Sequence, residues 1–317
     1  MRHVFLGSPP FAIPILRRLC DSSHETLALV TPPDRPRGRG RVVEPSALVQ
    51  LANARGVRVE QPATTKSEEF VALLAELAPE VLVVASFGEI LRTPVLQAAP
   101  HGCLNVHASL LPRHRGASPI QAAIAAGDVV TGVSVQRIVP ALDEGDVLLA
   151  LETPIDPHET AADLLERLAE LGGEAIVRAL DLLQRGDATF TPQDPAHATY
   201  ARKLDKAAGT IDWGRTRAEL DRHVRAMTPW PGAQTSYEVR GATRELIVLA
   251  LEPCTDVDCV DAAPGSLVEA GGRFVVQAGD GPLEIVSVKP AGKPAMTGEA
   301  FMRGARLEPG TRLREKS

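Results

Sequence analysis

An asparagine and a histidine stand two positions apart in the stretch LNVHASLLPRHRG, and an acidic turn follows further along in PALDEGDVLL. Alternate residues of a β-strand face the same side, so Asn105 and His107 would project together where the first stretch ends as a strand. An amide that donates to an oxyanion and an imidazole that carries a proton suit acyl or formyl transfer to an amine. The second stretch offers Asp143, Glu144 and Asp146, and one of these carboxylates could reach His107 and orient its ring.

Structural explanations compete with this interpretation at each position. An Asn-x-His pair on a strand is more often structural than catalytic, and an Asp-Glu-Gly turn is most often only a turn. The remaining histidines are scattered, and we expect His101, His114, His158, His197 and His223 at the surface. No HxxH, HExxH or paired aspartates indicate a metal, so none is predicted.

The elements that would position these residues alternate between strands and helices. Apolar runs such as residues 80–86 have no polar interruption, which is typical of strands covered on both faces. Amphipathic stretches lie between them, the longest over residues 159–185. The order predicts a doubly wound, mostly parallel, Rossmann-like α/β sheet, in which ligands bind at the carboxyl ends of the strands.

The pattern changes after Gly186. A segment rich in Pro, Asp and Thr is followed by one helix, by short strand-like runs and by turns such as GDGP. We therefore predict a catalytic domain over residues 1–189, a linker over 190–207 and a smaller β-barrel, OB-like, over 208–317.

Charge and composition limit the classes of partner. The chain has 317 residues and a net charge of -6, and neither half is basic in bulk. No apolar run reaches the roughly 18–20 residues that a membrane helix needs. The four cysteines form no metal-binding pattern. We expect a cytoplasmic monomer with no membrane partner.

One local exception is the octamer DRPRGRGR, residues 34–41, with arginines at alternate positions. Glycines keep such a segment mobile, and proline prevents a helix. An isolated basic octamer is most often a solvated loop. A loop that follows the second strand of the sheet could instead close on the phosphates of an RNA.

The motif NVHASLLPRHRGASPI, followed by LDEGDVL, resembles the folate-dependent formyltransferases. The stretches GSPPFAIPIL, PDRPRGRG and RAMTPWPGA extend this resemblance over nearly the whole chain, towards the members that act on methionyl-tRNA. The resemblance implies a catalytic set of Asn105, His107 and Asp143. It also implies a tetrahydrofolate-binding loop made of Ser109, Leu110, Leu111 and Pro112.

The activity implied by this resemblance is transfer of the formyl group of 10-formyltetrahydrofolate to the α-amine of methionyl-initiator tRNA, without a metal. The basic loop would contact the tRNA through Arg37, Arg39 and Arg41, with Arg39 in the main role, and the C-terminal barrel would add a docking surface. Two alternatives stay open at this point. One is a folate-dependent N-formyltransferase for a sugar nucleotide or another small amine, and the other is a non-catalytic RNA-binding protein.

Overall fold

The computed structural model describes residues 1–34, 44–257 and 262–314. Strands and helices alternate along its first 201 residues. The strands there are β1 (Arg2–Gly7), β2 (Glu25–Val30), β3 (Arg58–Glu60), β4 (Val81–Ala85), β5 (Cys103–His107), β6 (Arg115–Gly116), β7 (Val130–Arg137), β8 (Val147–Pro154) and β9 (Tyr200–Ala201). The helices are α1 (Ala12–Cys20), α2 (Ala47–Ala54), α3 (Glu68–Leu77), α4 (Thr93–Leu96), α5 (Pro119–Ala126) and α6 (Ala161–Arg185).

Seven of these strands form one sheet in the order β3-β2-β1-β4-β5-β7-β8. The strands from β3 to β5 pair in parallel, whereas β7 and β8 add an antiparallel edge. All five residues of β4 are buried, as expected for a strand covered on both faces. The predicted mostly parallel, Rossmann-like fold is confirmed.

A close helix contact fixes the strand that carries the Asn-x-His motif. At Gly172 of α6, a Cβ atom would lie 2.9 Å from Val106 Cγ1 and 3.3 Å from Ile15 Cδ1. A larger residue would push the helix away, so glycine allows the backbone of α6 to approach β5 directly. Val106 faces this helix, and its two neighbours Asn105 and His107 face the opposite side of the sheet.

The chain divides into two compact units. The first comprises Met1–Pro119, Val130–Pro154 and Leu165–Ala201, and the second comprises Ile120–Val129, Ile155–Leu164 and Arg202–Ser317. The boundaries 1–189, 190–207 and 208–317 stay a prediction. Beyond residue 201 the elements are α7 (Arg217–Met227), β10 (Ala233–Val239), β11 (Ala242–Pro253), β12 (Leu267–Val268), β13 (Val275–Ala278), β14 (Gly281–Pro290), β15 (Met296–Thr297) and α8 (Gly298–Ala305).

These later strands form an antiparallel sheet in the order β10-β11-β14-β13-β12, with β15 paired to β14. The C-terminal segment connects the two edges, because Arg314 bridges to Ser236 of β10 and Arg312 bridges to Ser266 beside β12. Phe301 packs between Phe274 and Tyr237 inside this unit. The expected small β-barrel is confirmed, although the sequence pattern missed β10 and α8.

Among the described residues, no helix combines the length and the apolar character needed to cross a bilayer.

Candidate active site

The strand pair β5 and β7 forms the floor of the site. Asn105 lies opposite Gln136, and His107 lies opposite Ser134. Residues directly opposite each other in an antiparallel pair share one face, so these polar side chains project together. The Asn105 side-chain amide is half-buried and makes no hydrogen bond to another described residue. It is therefore free to donate to a ligand.

His107 is held in one tautomer. Its Nε2 lies 2.9 Å from the carbonyl oxygen of His114, and because a carbonyl only accepts, Nε2 carries a hydrogen and donates it. Nδ1 lies 3.7 Å from Asp143 Oδ2. In the neutral ring, Nδ1 is the nitrogen that can accept a proton. Only 6% of His107 is exposed, so the ring is shielded from bulk water.

Asp143 reaches this face from the loop between β7 and β8. Its Oδ1 accepts a hydrogen bond from Gln136 Nε2 at 2.9 Å, and its Oδ2 accepts one from the backbone N–H of Gly116 at 2.8 Å. The structure thus brings His107 and Asp143 together and places Asn105 on the same face. Their catalytic roles, inferred from the motifs, stay a prediction.

Gly116 has a conformation and a setting that exclude a side chain. Its φ is +115°, and a Cβ there would lie 2.5 Å from the carbonyl oxygen of Ala201. The cause is the short pairing of β6 with β9, in which Gly116 lies beside Ala201. This pairing aims the Gly116 N–H at Asp143.

The SLLP loop is attached to β7 through Ser134. The Ser134 hydroxyl donates to the carbonyl oxygen of Ser109 at 2.8 Å and accepts from the backbone N–H of Leu111 at 3.0 Å. The Ser109 hydroxyl is buried and donates to the carbonyl oxygen of Arg113 at 2.6 Å. Leu110, Leu111 and Pro112 are each half-buried. The loop is therefore fixed by hydrogen bonds to β7 and by one within its own segment, and its folate-binding role stays a prediction.

Sequence reasoning missed several residues of this site. Gln136 donates to the Asp143 carboxylate, Gln193 donates to the Asp143 backbone carbonyl oxygen, and Arg115 donates to Gln193. Gln136 had a detectable signal in the sequence, because it and Ser134 are polar residues at alternate positions of an apolar strand. The structure shows that both side chains are buried. Gln193 had none, because it lies in the Pro-, Asp- and Thr-rich segment that predicts a linker.

The expectation that His114 lies at the surface is wrong. Only 6% of it is exposed. Its backbone N–H donates to Thr199 Oγ1 at 2.8 Å, so its carbonyl oxygen is held in place beneath His107. A single histidine in a loop carries no local signal of burial, so the sequence around His114 gave no reason to expect that its side chain is buried.

Cysteine and metal chemistry find little support among the described residues. Burial raises the pKa of the Cys103 thiol, on the same strand as His107, well above its usual range, so a thiolate is disfavoured there. No group of three His, Cys, Asp or Glu side chains within the described ranges could hold a metal ion.

The basic octamer lies largely beyond the described part of the chain. Arg35, Arg37, Arg39 and Arg41 fall in residues 35–43, outside the described residues. The role predicted for them stays a prediction.

Two family models match this chain. The model described as formyl transferase covers residues 1–180, and the model described as formyl transferase, C-terminal domain, covers residues 203–306. A Parvibaculum lavamentivorans protein named methionyl-tRNA formyltransferase is 42% identical over 310 residues, which are 98% of this chain and 99% of that relative.

Solved structures show the same fold at low identity. An N-formyltransferase from Helicobacter canadensis, in complex with folinic acid and dTDP-3-aminofucose, is 15% identical with a TM-score of 0.65 over 89% of this chain and 98% of its own. HypX from Aquifex aeolicus, in complex with tetrahydrofolic acid, is 20% identical with a TM-score of 0.62 over 95% of this chain and 47% of its own. With the two family models and a relative matched along its whole length, the chain belongs to the formyl transferase family.

Proposed function

We propose that this protein transfers the formyl group of 10-formyltetrahydrofolate to the α-amino group of methionyl-initiator tRNA. The observation that carries the proposal is its 42% identity, over 98% of the chain, to a relative that bears the name of this activity. The polar face of β5 and β7 supports it, since it holds the side chains that formyl transfer to an amine requires.

The Asn105 amide would donate to the oxygen of the formyl group. Attack by an amine turns that oxygen into an oxyanion, and a donor already in place stabilises this charge without reorganisation. Asn105 suits this task because its amide has no hydrogen bond to another described residue and lies on an ordered strand.

His107 would remove the proton of the attacking amine through Nδ1. Nε2 is not available for this because it donates to the His114 carbonyl oxygen. The imidazolium that forms then faces Asp143 Oδ2, 3.7 Å from Nδ1, and the charge pair is stabilised in a shielded setting. The same Nδ1 can return the proton to the nitrogen that leaves.

The folate would lie against the SLLP loop. Two large apolar side chains near the carboxyl ends of the strands are exposed, Ile90 at 82% after β4 and Leu142 at 61% beside Asp143. Flat heterocycles pack against such groups, and polar anchors fix their orientation.

The tRNA would need cations for its phosphates. We assign this role to Arg37, Arg39 and Arg41 and, in the C-terminal unit, to Arg244 and Lys293, which line a cavity of about 530 Å³. The proposal also takes the protein to act as a monomer in the cytoplasm, where its tRNA substrate would be found.

The direct test is transfer of labelled formyl from 10-formyltetrahydrofolate to methionyl-initiator tRNA, with an amino-sugar nucleotide as the competing acceptor. We expect label on the tRNA alone. Label on the sugar nucleotide alone would overturn the proposal in favour of a small-amine formyltransferase. Binding of tRNA with no transfer to either acceptor would favour a non-catalytic RNA-binding protein.

A second test concerns the basic loop. Replacing Arg39 by alanine should lower formylation of the tRNA and leave folate binding intact. Equal loss of both would mean that the loop supports the fold rather than the tRNA.

A further inference from the structure

We propose that Arg115, Gln193 and Gln136 form a directed hydrogen-bond relay that orients the Asp143 carboxylate, with Gln193 as its central positioning residue. The inference rests on the proposed function, in which Asp143 serves His107. It concerns positioning residues, which act on the reaction through Asp143.

The relay consists of three consecutive contacts. Arg115 Nε and Nη2 donate to Gln193 Oε1 at 3.1 and 2.9 Å. Gln193 Nε2 donates to Gln136 Oε1 at 3.2 Å. Gln136 Nε2 donates to Asp143 Oδ1 at 2.9 Å. Each amide thus accepts on its oxygen and donates from its nitrogen, in one direction along the chain of contacts.

The direction is fixed at both ends. A guanidinium has only donors, and a carboxylate has only acceptors. Gln193 must therefore turn its oxygen to Arg115, which leaves its nitrogen for Gln136. Gln136 in turn must show its nitrogen to Asp143. The amide of a glutamine next to a carboxylate could present either its nitrogen or its oxygen. The relay excludes the second orientation, in which the Gln136 oxygen would face the Asp143 carboxylate and be repelled.

Gln193 also supports the backbone that carries Asp143. Its Nε2 lies 2.8 Å from the carbonyl oxygen of Asp143 and 2.7 Å from that of Gly145. Asp143 has a φ of +51°, a left-handed conformation that non-glycine residues adopt infrequently. The two N–H donors of Gln193 are shared among these two carbonyl oxygens and Gln136 Oε1, so one amide contacts both the loop that carries Asp143 and the glutamine that donates to its carboxylate.

The first member of the relay is a buried charge. Arg115 is only 3% exposed, and its Nη1 lies 3.0 Å from Glu144 Oε1. A buried guanidinium is costly unless it is paired and hydrogen-bonded. Glu144 neutralises it and Gln193 accepts from it. The charged or titratable groups around Asp143 are therefore His107 at its carboxylate and the Arg115–Glu144 pair at the start of the relay.

The segment that carries Gln193 is itself held in place. Thr191 exchanges two backbone hydrogen bonds with Val147 of β8, each of 2.9 Å, and β9 pairs with β6. The residues between these two attachments lie against the site in a fixed position. A sequence that predicts a linker thus supplies a wall of the active site.

The decisive variant is Gln193→Glu, which replaces the donating nitrogen by an acceptor oxygen. The new carboxylate oxygen faces three acceptors, namely Gln136 Oε1 and the carbonyl oxygens of Asp143 and Gly145. The Gln136 amide therefore turns and presents its oxygen to Asp143. We expect kcat for formyl transfer to fall about tenfold to hundredfold, since a buried polar group loses its partner. The KM for methionyl-tRNA should stay within about twofold of the wild-type value, because the substitution does not change interactions that are equally strong in the ground state and in the transition state. The pH profile of kcat should differ from that of the wild type, because the charge and the hydrogen bonding around the Asp143 carboxylate change.

Gln97→Glu is the matched control, because it adds the same charge at an exposed side chain with no hydrogen bond to another described residue. It should behave as the wild type. Equal kcat and pH profiles for the two variants would overturn the relay. A lower kcat with an unmoved pH profile would also overturn it, because it would assign Gln193 to support of the loop only.

A second measurement does not depend on turnover or on the identity of the acceptor. In ¹⁵N-labelled protein, the side-chain amides of Gln193 and Gln136 should exchange slowly with solvent, and Arg115→Met should make both exchange rapidly. Unchanged slow exchange in Arg115→Met would overturn the relay. If methionyl-tRNA proves not to be the acceptor, the proposed function fails while slow exchange lost in Arg115→Met still supports the relay.

Discussion

The two sheets of this protein use their buried polar groups in different ways. At the carboxyl edge of the α/β sheet, His107, Ser134 and Gln136 are buried and satisfied by other polar groups. In the C-terminal unit, the rings of Phe274 and Phe301 fill the interior, and buried Thr235 of β10 accepts from Trp213 Nε1 and donates to the backbone carbonyl oxygen of Arg314. Cations such as Arg303 on α8 are exposed. Catalysis needs desolvated polar groups fixed in advance, whereas recognition of a polyanion needs exposed cations. We therefore expect the chemistry at the carboxyl edge of the first sheet and propose that a polyanion docks on the exposed cations of the C-terminal unit.

The largest effect should come from removing the predicted catalytic side chains. Asn105→Ala and His107→Ala should each lower kcat at least about a hundredfold, because an oxyanion donor or a general base is lost. Steady-state formylation measures this, and the exposed His101→Ala is the matched control. Near-normal turnover in either variant would contradict a catalytic role for this sheet.

A buried histidine of the first sheet should make the protein sensitive to acid. Burial lowers the pKa of His3 to about 4 from an ordinary value of 6.5. Above about pH 6.5 the residue is neutral in both states. Between about pH 6.5 and 4 the unfolded chain binds a proton that the folded chain does not, so stability falls as the pH falls. The loss is on the order of 3 kcal/mol by pH 4.

Chemical denaturation at several pH values measures this loss, and His3→Gln should flatten the dependence. His223 on α7 in the second unit is half-buried rather than at the surface as expected, and burial lowers its pKa, so His223→Gln provides a comparison between the two regions. An acid sensitivity that persists undiminished in His3→Gln would assign it to other groups.

Each unit also has a helix whose start depends on one hydroxyl. Ser67 Oγ accepts from Phe70 N at the start of α3, and Thr216 forms a capping box with Glu219 at the start of α7. Ser67→Ala and Thr216→Ala should each cost about 1 kcal/mol in the free energy of unfolding. The conservative Ser67→Thr and Thr216→Ser variants should cost less than half as much, and equal losses would contradict a capping role.

The smallest effect should come from single cations of the second sheet. Lys293→Ala should weaken binding of methionyl-tRNA about threefold and reduce the slope of log affinity against log salt by about one, if one phosphate contact is lost. Turnover at saturating tRNA should not change. The control is Lys66→Ala in the first unit, at a lysine 4.0 Å from Glu89. An unchanged salt slope in Lys293→Ala would show that this face does not dock the tRNA.

Much of the fold was predictable because its signals are local. The apolar run over residues 80–86 and the amphipathic stretch over residues 159–185 each reflect local patterns, and their predicted positions agree with β4 and α6 of the structure. The strand β10 was missed because its residues AQTSYEV mix polar and apolar types, and pairing with β11 decides their state. The C-terminal segment that joins both edges of the barrel is likewise decided by long-range hydrogen bonds.

The sequence by itself determined the chemistry-bearing types and their spacing, because alternation along one strand places Asn105 and His107 on one face. Only the tertiary structure decided which nitrogen of His107 is free, since the His114 carbonyl oxygen that engages Nε2 comes from a loop held by Thr199. It also decided what surrounds Asp143. Gln193 lies 50 residues further along the chain from Asp143, and no local pattern encodes a hydrogen bond over that separation.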